Sequence, residues 1–251
     1  MSTLTRVARK SLLYRSGLGF FCINHVQGCS HGCRYPCHAW MIFNRHGRVH
    51  GYADWCTPRL VGNALELLDH ELRKKRSLPD RVHLCLSTDP FMTGQPEVEA
   101  LSLALIARLN QAGVPCTVLT KGALPEALAD TERFHPKNHY GISLVSLSER
   151  FRIRWEPGAT AYDARIEALR ALHSAGCFTY VHMEPYPTPN IILQDVNTIL
   201  ERVDFVARIY FGGWNYSAIV QRFADAAEFY RRTSDEVRDF CTRRGIQFET
   251  S

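Results

Sequence analysis

No aspartate or glutamate occurs before Asp54, although the chain holds 25 acidic residues in all. Residues 1–53 do hold seven arginines and lysines and five of the eleven histidines, so this segment carries a formal charge of +7 and the remainder −2. Such a one-sided field lowers thiolate pKa values and attracts anions. Also missing is any apolar run long enough to span a bilayer. The start, MSTLTRVARKSLLYRSGLGFF, is a poor secretory signal, since Arg15 and Ser16 break its apolar stretch. A membrane partner is therefore not expected, and the expected location is cytoplasmic. No two cysteines stand at the two-residue spacing of a redox dithiol. Nine cysteines, an odd number, are too sparse in 251 residues for a disulfide scaffold.

Three of the nine are nevertheless crowded together. Cys29, Cys33 and Cys37 stand in GCSHGCRYPCHAW, each separated from the next by three residues. Cys22, Cys56, Cys85, Cys116, Cys177 and Cys241 are scattered and read as small buried hydrophobes. A structural zinc site wants four closed ligands. His31 or His38 would complete the set only with strain, because each lies so close along the chain. An iron–sulfur cluster held by three thiolates would instead leave one iron open to a small molecule. Within the sequence no further tight cysteine motif closes the site, which favours the cluster. The rival is a non-enzymatic zinc-binding module that interacts with nucleic acid.

Hydrophobic periodicity gives the frame around these thiols. Apolar residues at helical spacing from Thr57-Pro58 to Leu72 predict a helix with a threonine cap and proline in its first turn. RVHLCLSTDP, VPCTVLTK, HYGISLVSL, CFTYVHMEP and ARIYFGG read as short buried strands, and GFFCINHV as the first. Helical stretches separate them, one expected to be capped by Thr160 with Asp163 and two stopping at Gly113 and Gly176. About six strand–helix units with right-handed crossovers predict an α/β fold, a partial (β/α)6 TIM-like barrel. The expected division is a basic arm at 1–18, the barrel at 19–216 and a helical extension at 217–251, broken near Thr233-Ser234-Asp235. Active sites of such barrels lie at the C-terminal strand ends. Those ends carry the cysteine loop, then Ser87-Thr88-Asp89, Thr120-Lys121, Ser143, Glu184 and Trp214-Asn215-Tyr216.

INHVQGCSHGCRYPCHAW resembles the cluster loop of radical S-adenosylmethionine enzymes, and most closely their spore photoproduct lyase-like branch. The resemblance continues through LSTDPF, VLTKG, GISLVSLSERF and WEPGATAYDARIEALRALHSAG, in the family's order. It implies a [4Fe–4S] cluster on Cys29, Cys33 and Cys37, whose open iron chelates S-adenosylmethionine. It further implies one-electron cleavage to a 5′-deoxyadenosyl radical, and a reductant protein such as flavodoxin or ferredoxin. Asp89, with Ser87 and Thr88, would face the methionine amino group. Lys121 would meet the methionine carboxylate and Ser143 the ribose or carboxylate, while Glu156 and Arg165 would pair structurally.

Two departures from the family pattern stand out. The family places two residues between its last two cysteines and an aromatic directly before the third. Here Pro36 adds a residue and moves Tyr35 back, which unsettles the role of Tyr35 over the adenine. Cys85 stands one residue from the hydrogen-donor cysteine of photoproduct lyases, and one residue along a strand reverses its face. Cys85 is thus a weak catalytic candidate, and the repair reaction is not transferred. The expected enzyme, of lyase or transferase type, abstracts hydrogen from a nucleotide, a nucleic acid or another anionic substrate, in preference to a peptide or small metabolite. Trp40, Tyr52, Trp55, Trp214 and Tyr216 are the candidate stacking residues.

Overall fold

The structure is a computed structural model that describes residues 4–250. The chain opens with β1 (Arg6–Val7), β2 (Leu13–Arg15), β3 (Phe21–Ile23) and β4 (Val26–Gln27). Helices α1 (His38–Arg45) and α2 (Tyr52–Trp55) follow the cysteine loop, and β5 (Arg59–Val61) leads into α3 (Ala64–Lys74). Strand and helix then alternate through β6 (Val82–Leu84), α4 (Pro96–Gln111), β7 (Cys116–Thr120) and β8 (His139–Ser143). Helices α5 (Glu149–Trp155) and α6 (Tyr162–Ser174) precede β9 (Phe178–Tyr186), α7 (Val196–Arg202) and β10 (Arg208–Gly213). The chain closes with α8 (Ala218–Gln221), α9 (Ala226–Arg244) and β11 (Gln247–Thr250).

Eight strands form one sheet in the order β11-β10-β9-β8-β7-β6-β3-β2. Every neighbouring pair from β3 to β11 is parallel, and only β2 runs antiparallel, on β3. This is the expected α/β partial barrel. Side chains alternate across each strand. Val82, Leu84, Cys116, Val118, Tyr140, Ile142, Val181, Met183, Ile209 and Phe211 share one buried core with Leu105, Ile106 and Leu109 of α4 and Ile166, Leu169 and Leu172 of α6. The intervening residues, among them His83, Tyr180, His182 and Tyr210, face the barrel lumen.

Several expectations need correction. Residues 59–61 are a strand, not the first turn of a helix: β5 pairs with both β1 and β4, and α3 begins only after Asn63. The apolar spacing runs unbroken from Leu60 to Leu68, so periodicity alone merges the two elements. Thr160 does not cap α6, whose N-cap is Ala161; the Thr160 hydroxyl bonds Thr93 Oγ1 instead at 2.8 Å. The C-terminal region is not broken near Thr233, which lies within α9, but between α8 and α9. It is also more than a helical extension, since β11 adds a parallel strand to β10. The described part of the basic arm is likewise built into the fold. Glu71 accepts from the backbone N–H of Leu12 and Leu13, and Asn63 bonds the Arg9 backbone in both directions. Arg9 donates to the Asn24 carbonyl and Arg6 pairs with Glu97, so part of its charge is spent on structure.

Candidate active site

The cysteine loop leaves β4 at Gly28 and crosses the C-terminal mouth of the barrel. Gly28 sits at φ +83°, and a Cβ there would lie 2.5 Å from the Trp55 carbonyl oxygen. Any other residue would therefore be strained and would clash. Three supports hold the loop. Cys29 N–H donates to the Trp55 carbonyl at 2.9 Å, beside α2. Arg34 N–H donates to the Trp155 carbonyl at 2.8 Å, at the end of α5, and Gly158 N–H to the His31 carbonyl at 2.9 Å, just after it. The third support is His31, whose Nδ1 lies 3.3 Å from Asp89 Oδ2 while its Nε2 accepts from Thr93 N–H at 3.2 Å. With Nε2 accepting, Nδ1 carries the proton and donates to Asp89.

Asp89 is the centre of that brace. Its Oδ1 accepts from Phe91 N–H and from the Thr120 hydroxyl at 2.6 Å, and its Oδ2 accepts from Lys121 N–H at 2.8 Å. Burial works to raise this carboxyl, but His31 and the bonds from Thr120 and Lys121 outweigh it and hold the pKa at about 2. With His31 included, four donors occupy the roughly four acceptor positions of a carboxylate. Asp89 therefore ties the cysteine loop, the β6 end and the β7 end together. Ser87 N–H donates to Asn24 Oδ1. The Thr88 hydroxyl is buried without a well-formed hydrogen bond, as is that of Ser30 within the loop.

A second network lies behind Cys33. Glu156 and Arg165 are fully buried and pair at 2.7 Å, as expected. Arg165 also donates to the carbonyls of Thr160 and Ser143. The other Glu156 oxygen accepts from Tyr35 OH at 2.9 Å and lies 3.9 Å from Lys121 Nζ. Lys121 Nζ also stands over the Tyr35 ring, 5.5 Å from its centroid. Burial raises the Glu156 carboxyl, yet Lys121 and Arg165 hold it below its ordinary value. Lys121, Glu156 and Arg165 together carry one net positive charge in a buried region. Tyr35 is buried against the edge of Trp214, with its hydroxyl committed to Glu156. It anchors the loop and also lines the open cavity beside Cys33.

The three thiols are half-buried. Burial first, then Asp89 and the neighbouring Cys33 and Cys37, push the Cys29 thiol well above its ordinary value. Burial likewise pushes Cys33 up to about 12 against the pull of Lys121. Among the described residues, no three His, Cys, Asp or Glu side chains converge to hold a single metal ion. A single tetrahedral zinc would need its sulfurs drawn to about 2.3 Å from one point. A cluster gives each thiolate its own iron.

Other assignments change more. Cys85 Sγ lies 3.4 Å from His25 Nδ1, His25 Nε2 lies 2.8 Å from Ser102 Oγ, and Ser102 donates to the Pro90 carbonyl. Burial keeps both members neutral, raising Cys85 to about 12 and lowering His25 to about 3. Cys85 thus sits in a closed structural relay, with its backbone at φ 54°. Trp55 and Trp214 are buried and offer no stacking surface. Trp40, Tyr52 and Tyr216 do border an open cavity of about 520 Å³ beside Cys33 and Arg34. Tyr216 is 73% exposed, at φ 57°. Sequence reasoning passed over Cys56, whose Sγ packs 3.7 Å from the Cβ position of Gly32. It weighed His31 only as a fourth zinc ligand and passed over His182. Their signal was position: one stands between two loop cysteines, the other two residues before Glu184 on the same strand face.

Spore photoproduct lyase structures superpose on this geometry. One variant covers 100% of this chain and 83% of its own, with a TM-score of 0.66 and 15% identity. Another, with bound AdoMet and dinucleoside spore photoproduct, covers 88% of this chain and 64% of its own, with a TM-score of 0.62 and 16% identity. In sequence, an uncharacterised protein of Mycobacterium tuberculosis is 29% identical over 174 residues, 66% of this chain and 49% of that protein. An uncharacterised protein of Acidianus two-tailed virus is 25% identical over 190 residues, 72% of this chain and 60% of that one. The chain thus spans about half the length of the mycobacterial relative. The family model of the Radical SAM superfamily matches residues 23–213. That span runs from β3 to the end of β10 and takes in the cysteine loop and both networks that hold it; the chain belongs to the radical SAM superfamily, whose cofactors are a [4Fe–4S] cluster and S-adenosylmethionine.

Proposed function

We propose that Cys29, Cys33 and Cys37 hold the cluster and that the chain cleaves S-adenosylmethionine reductively to abstract hydrogen from a nucleotide or nucleic acid. The observation that carries this reading is the pinned loop: three half-buried thiols at the C-terminal mouth of a parallel barrel, next to a buried cationic group. The donor set fits. Ser30 and Thr88 supply unpaired buried hydroxyls beside the loop and beside Asp89, able to donate to sulfide or thiolate. When bound, the cluster supplies one electron to break the sulfonium carbon–sulfur bond, giving methionine and a 5′-deoxyadenosyl radical. Lys121 holds an ammonium where a methionine carboxylate would balance the net positive charge of the Lys121–Glu156–Arg165 group. Ser143, at the end of β8, faces the same mouth and would meet the ribose. Asp89 acts by holding the loop against β6 and β7 and not through direct contact with the amino group, while the Ser87 N–H is taken up by Asn24. Cys85 has no hydrogen-donating part in this scheme.

The nucleotide preference rests on exposed Arg34 beside Trp40, Tyr52 and Tyr216, a cation among rings on which a base can stack. Superfamily enzymes need a one-electron reductant; here it would be a flavodoxin or ferredoxin, in the reducing cytoplasm that keeps a cluster intact. Among the described residues no helix is long and apolar enough to cross a membrane.

The test is anaerobic purification, iron and sulfide analysis, then addition of dithionite and S-adenosylmethionine. Iron and sulfide near four each per chain and formation of 5′-deoxyadenosine are expected. A cluster-loaded protein that makes none would refute the radical reading. Salt-insensitive or absent binding to single-stranded DNA and RNA would refute the nucleic acid preference.

A further inference from the structure

The helix that follows the cysteine loop is capped by a cysteine. Cys37 is the N-cap of α1, in extended backbone at φ −75° and ψ 111°. Serine, threonine, aspartate and asparagine are the usual residues there, because their side-chain oxygens accept from the first turn. Among the described residues the Cys37 side chain accepts no such bond, and the first turn of α1 holds no acid. The first N–H groups of a helix have no partner within it, so the positive end of α1 is turned towards Cys37. Trp40 is the third helical residue, from which a side chain leans back over the N-cap. Its indole packs with Cys29, Cys37 and Cys56 against the small core of Phe43, Val49 and Trp55. Trp40 Nε1 is shielded from solvent and has no hydrogen-bond partner among the described residues. Nearby carbonyls are already engaged. That of Cys37 takes Met41 N–H, that of Cys33 takes Tyr52 OH and that of Trp55 takes Cys29 N–H. The thiol sulfurs are the acceptors still open on this side.

We infer that the Trp40 indole N–H donates to the sulfur of Cys37 and, together with the N-terminus of α1, sets the reduction potential of the cluster. This assignment rests on the reading of Cys37 as a cluster ligand proposed above. A buried donor without an acceptor is costly and rare. A neutral thiol is a weak acceptor, whereas an iron-bound thiolate carries charge, so the bond strengthens when Cys37 serves as a ligand. Reduction adds one electron, and with it one negative charge. Donors directed at the sulfurs favour that charge. Trp40 and the α1 N-terminus therefore raise the potential and make the cluster easier to reduce. The face of the same indole lines the open cavity beside Cys33, so its N–H edge and its ring serve separate purposes.

The experiment uses the full chain with its cluster reconstituted anaerobically. The midpoint potential is read by potentiometric titration, with electron paramagnetic resonance of the reduced cluster as the signal. Trp40→Phe keeps an aromatic ring and removes the N–H. Its iron and sulfide should match the parent chain, and its cluster should be about tenfold harder to reduce, a fall of about 59 mV for a one-electron couple. Trp214→Phe removes a second unpartnered indole N–H, from a ring packed against Tyr35, Phe151 and Trp155, and should leave the potential unchanged. An unchanged potential in Trp40→Phe, with iron intact, would direct the N–H at the Tyr52 ring, which meets Trp40 edge to face at 5.6 Å, and overturns the inference. An equal fall in both variants traces the shift to general loosening and overturns it as well. Should Trp40→Phe hold no iron, Trp40→His, which retains a ring N–H, is expected to hold it at the parental level. Iron loss in both makes Trp40 a packing residue and refutes the donor role. If the parent chain itself takes up no iron and sulfide, the cluster assignment falls and this inference with it, an outcome told apart from the others by the parent's own metal analysis.

Discussion

Acid should loosen the cysteine loop through Asp89. In the folded chain its carboxyl titrates at about 2, against an ordinary value of 3.8. At about 1.4 kcal/mol for each tenfold change in proton affinity, that difference corresponds to roughly 2 kcal/mol of folding stability. The depressed value sets the sign. The contribution is fully present above the unfolded pKa near 3.8 and disappears as the pH falls through the folded value near 2. Other carboxylates titrate in the same window, so the informative quantity is the difference between the parent chain and Asp89→Asn. The asparagine has no proton to take up, and its unfolding free energy should fall by roughly 2 kcal/mol less than that of the parent between pH 5 and pH 2.

At pH 7 the same variant should already be weaker, because its amide nitrogen faces donors where a carboxylate oxygen accepted. Each buried donor left unpaired costs about 1–3 kcal/mol. Which oxygen the nitrogen replaces decides the partners affected: Phe91 N–H and Thr120 OH at one, Lys121 N–H and His31 at the other. Urea unfolding followed by tryptophan fluorescence suits the measurement. Trp55 and Trp155 each accept a backbone bond from the cysteine loop and so report on its release. If the gap between the two proteins does not narrow as the pH is lowered, Asp89 is not the ionised brace described here.

Three further outcomes are expected. Glu156→Gln removes the partner of a buried guanidinium, and should cost about 3–5 kcal/mol in urea unfolding; an unchanged midpoint would mean that Arg165 is satisfied by its two carbonyls alone. Cys33→Ala should abolish bound iron, whereas Cys56→Ser should leave iron and sulfide at parental levels, read by colorimetric analysis; iron loss on Cys56→Ser would make Cys56 a ligand. Lys121→Ala should weaken S-adenosylmethionine at least tenfold by equilibrium dialysis with iron unchanged, and equal loss of iron would assign Lys121 to the loop instead.

The barrel was readable because each strand is short, apolar on the face it shares with the helices, and ended by a residue type that stops strands. Val82–Leu84, Cys116–Thr120 and Arg208–Gly213 all fall inside the stretches predicted for them. The thiol loop was readable from spacing, and the Glu156–Arg165 pair from family resemblance. What escaped depends on partners distant in sequence. β5 is a strand because β1 and β4, more than 30 residues upstream, supply its hydrogen bonds. Leu60 and Val61 continue the apolar spacing of the helix that follows, and only Gly62-Asn63 marked the break.

Asp89 shows the same limit at the level of chemistry. An aspartate before proline at a strand end reads equally as a cofactor ligand or as a turn residue, and the choice turns on how many donors reach it. Those donors come from His31, Phe91, Thr120 and Lys121, on three separate segments. Lys121 shows the converse. Its backbone N–H is used in that brace, while its side chain stays 16% exposed at the mouth, 3.9 Å from a glutamate that already serves an arginine and a tyrosine. A carboxylate with two good partners holds a third cation only loosely. The ammonium is consequently the group at this mouth with the most to gain from an incoming anion, and the exchange of Glu156 for a methionine carboxylate would leave the buried Tyr35–Glu156–Arg165 brace in place.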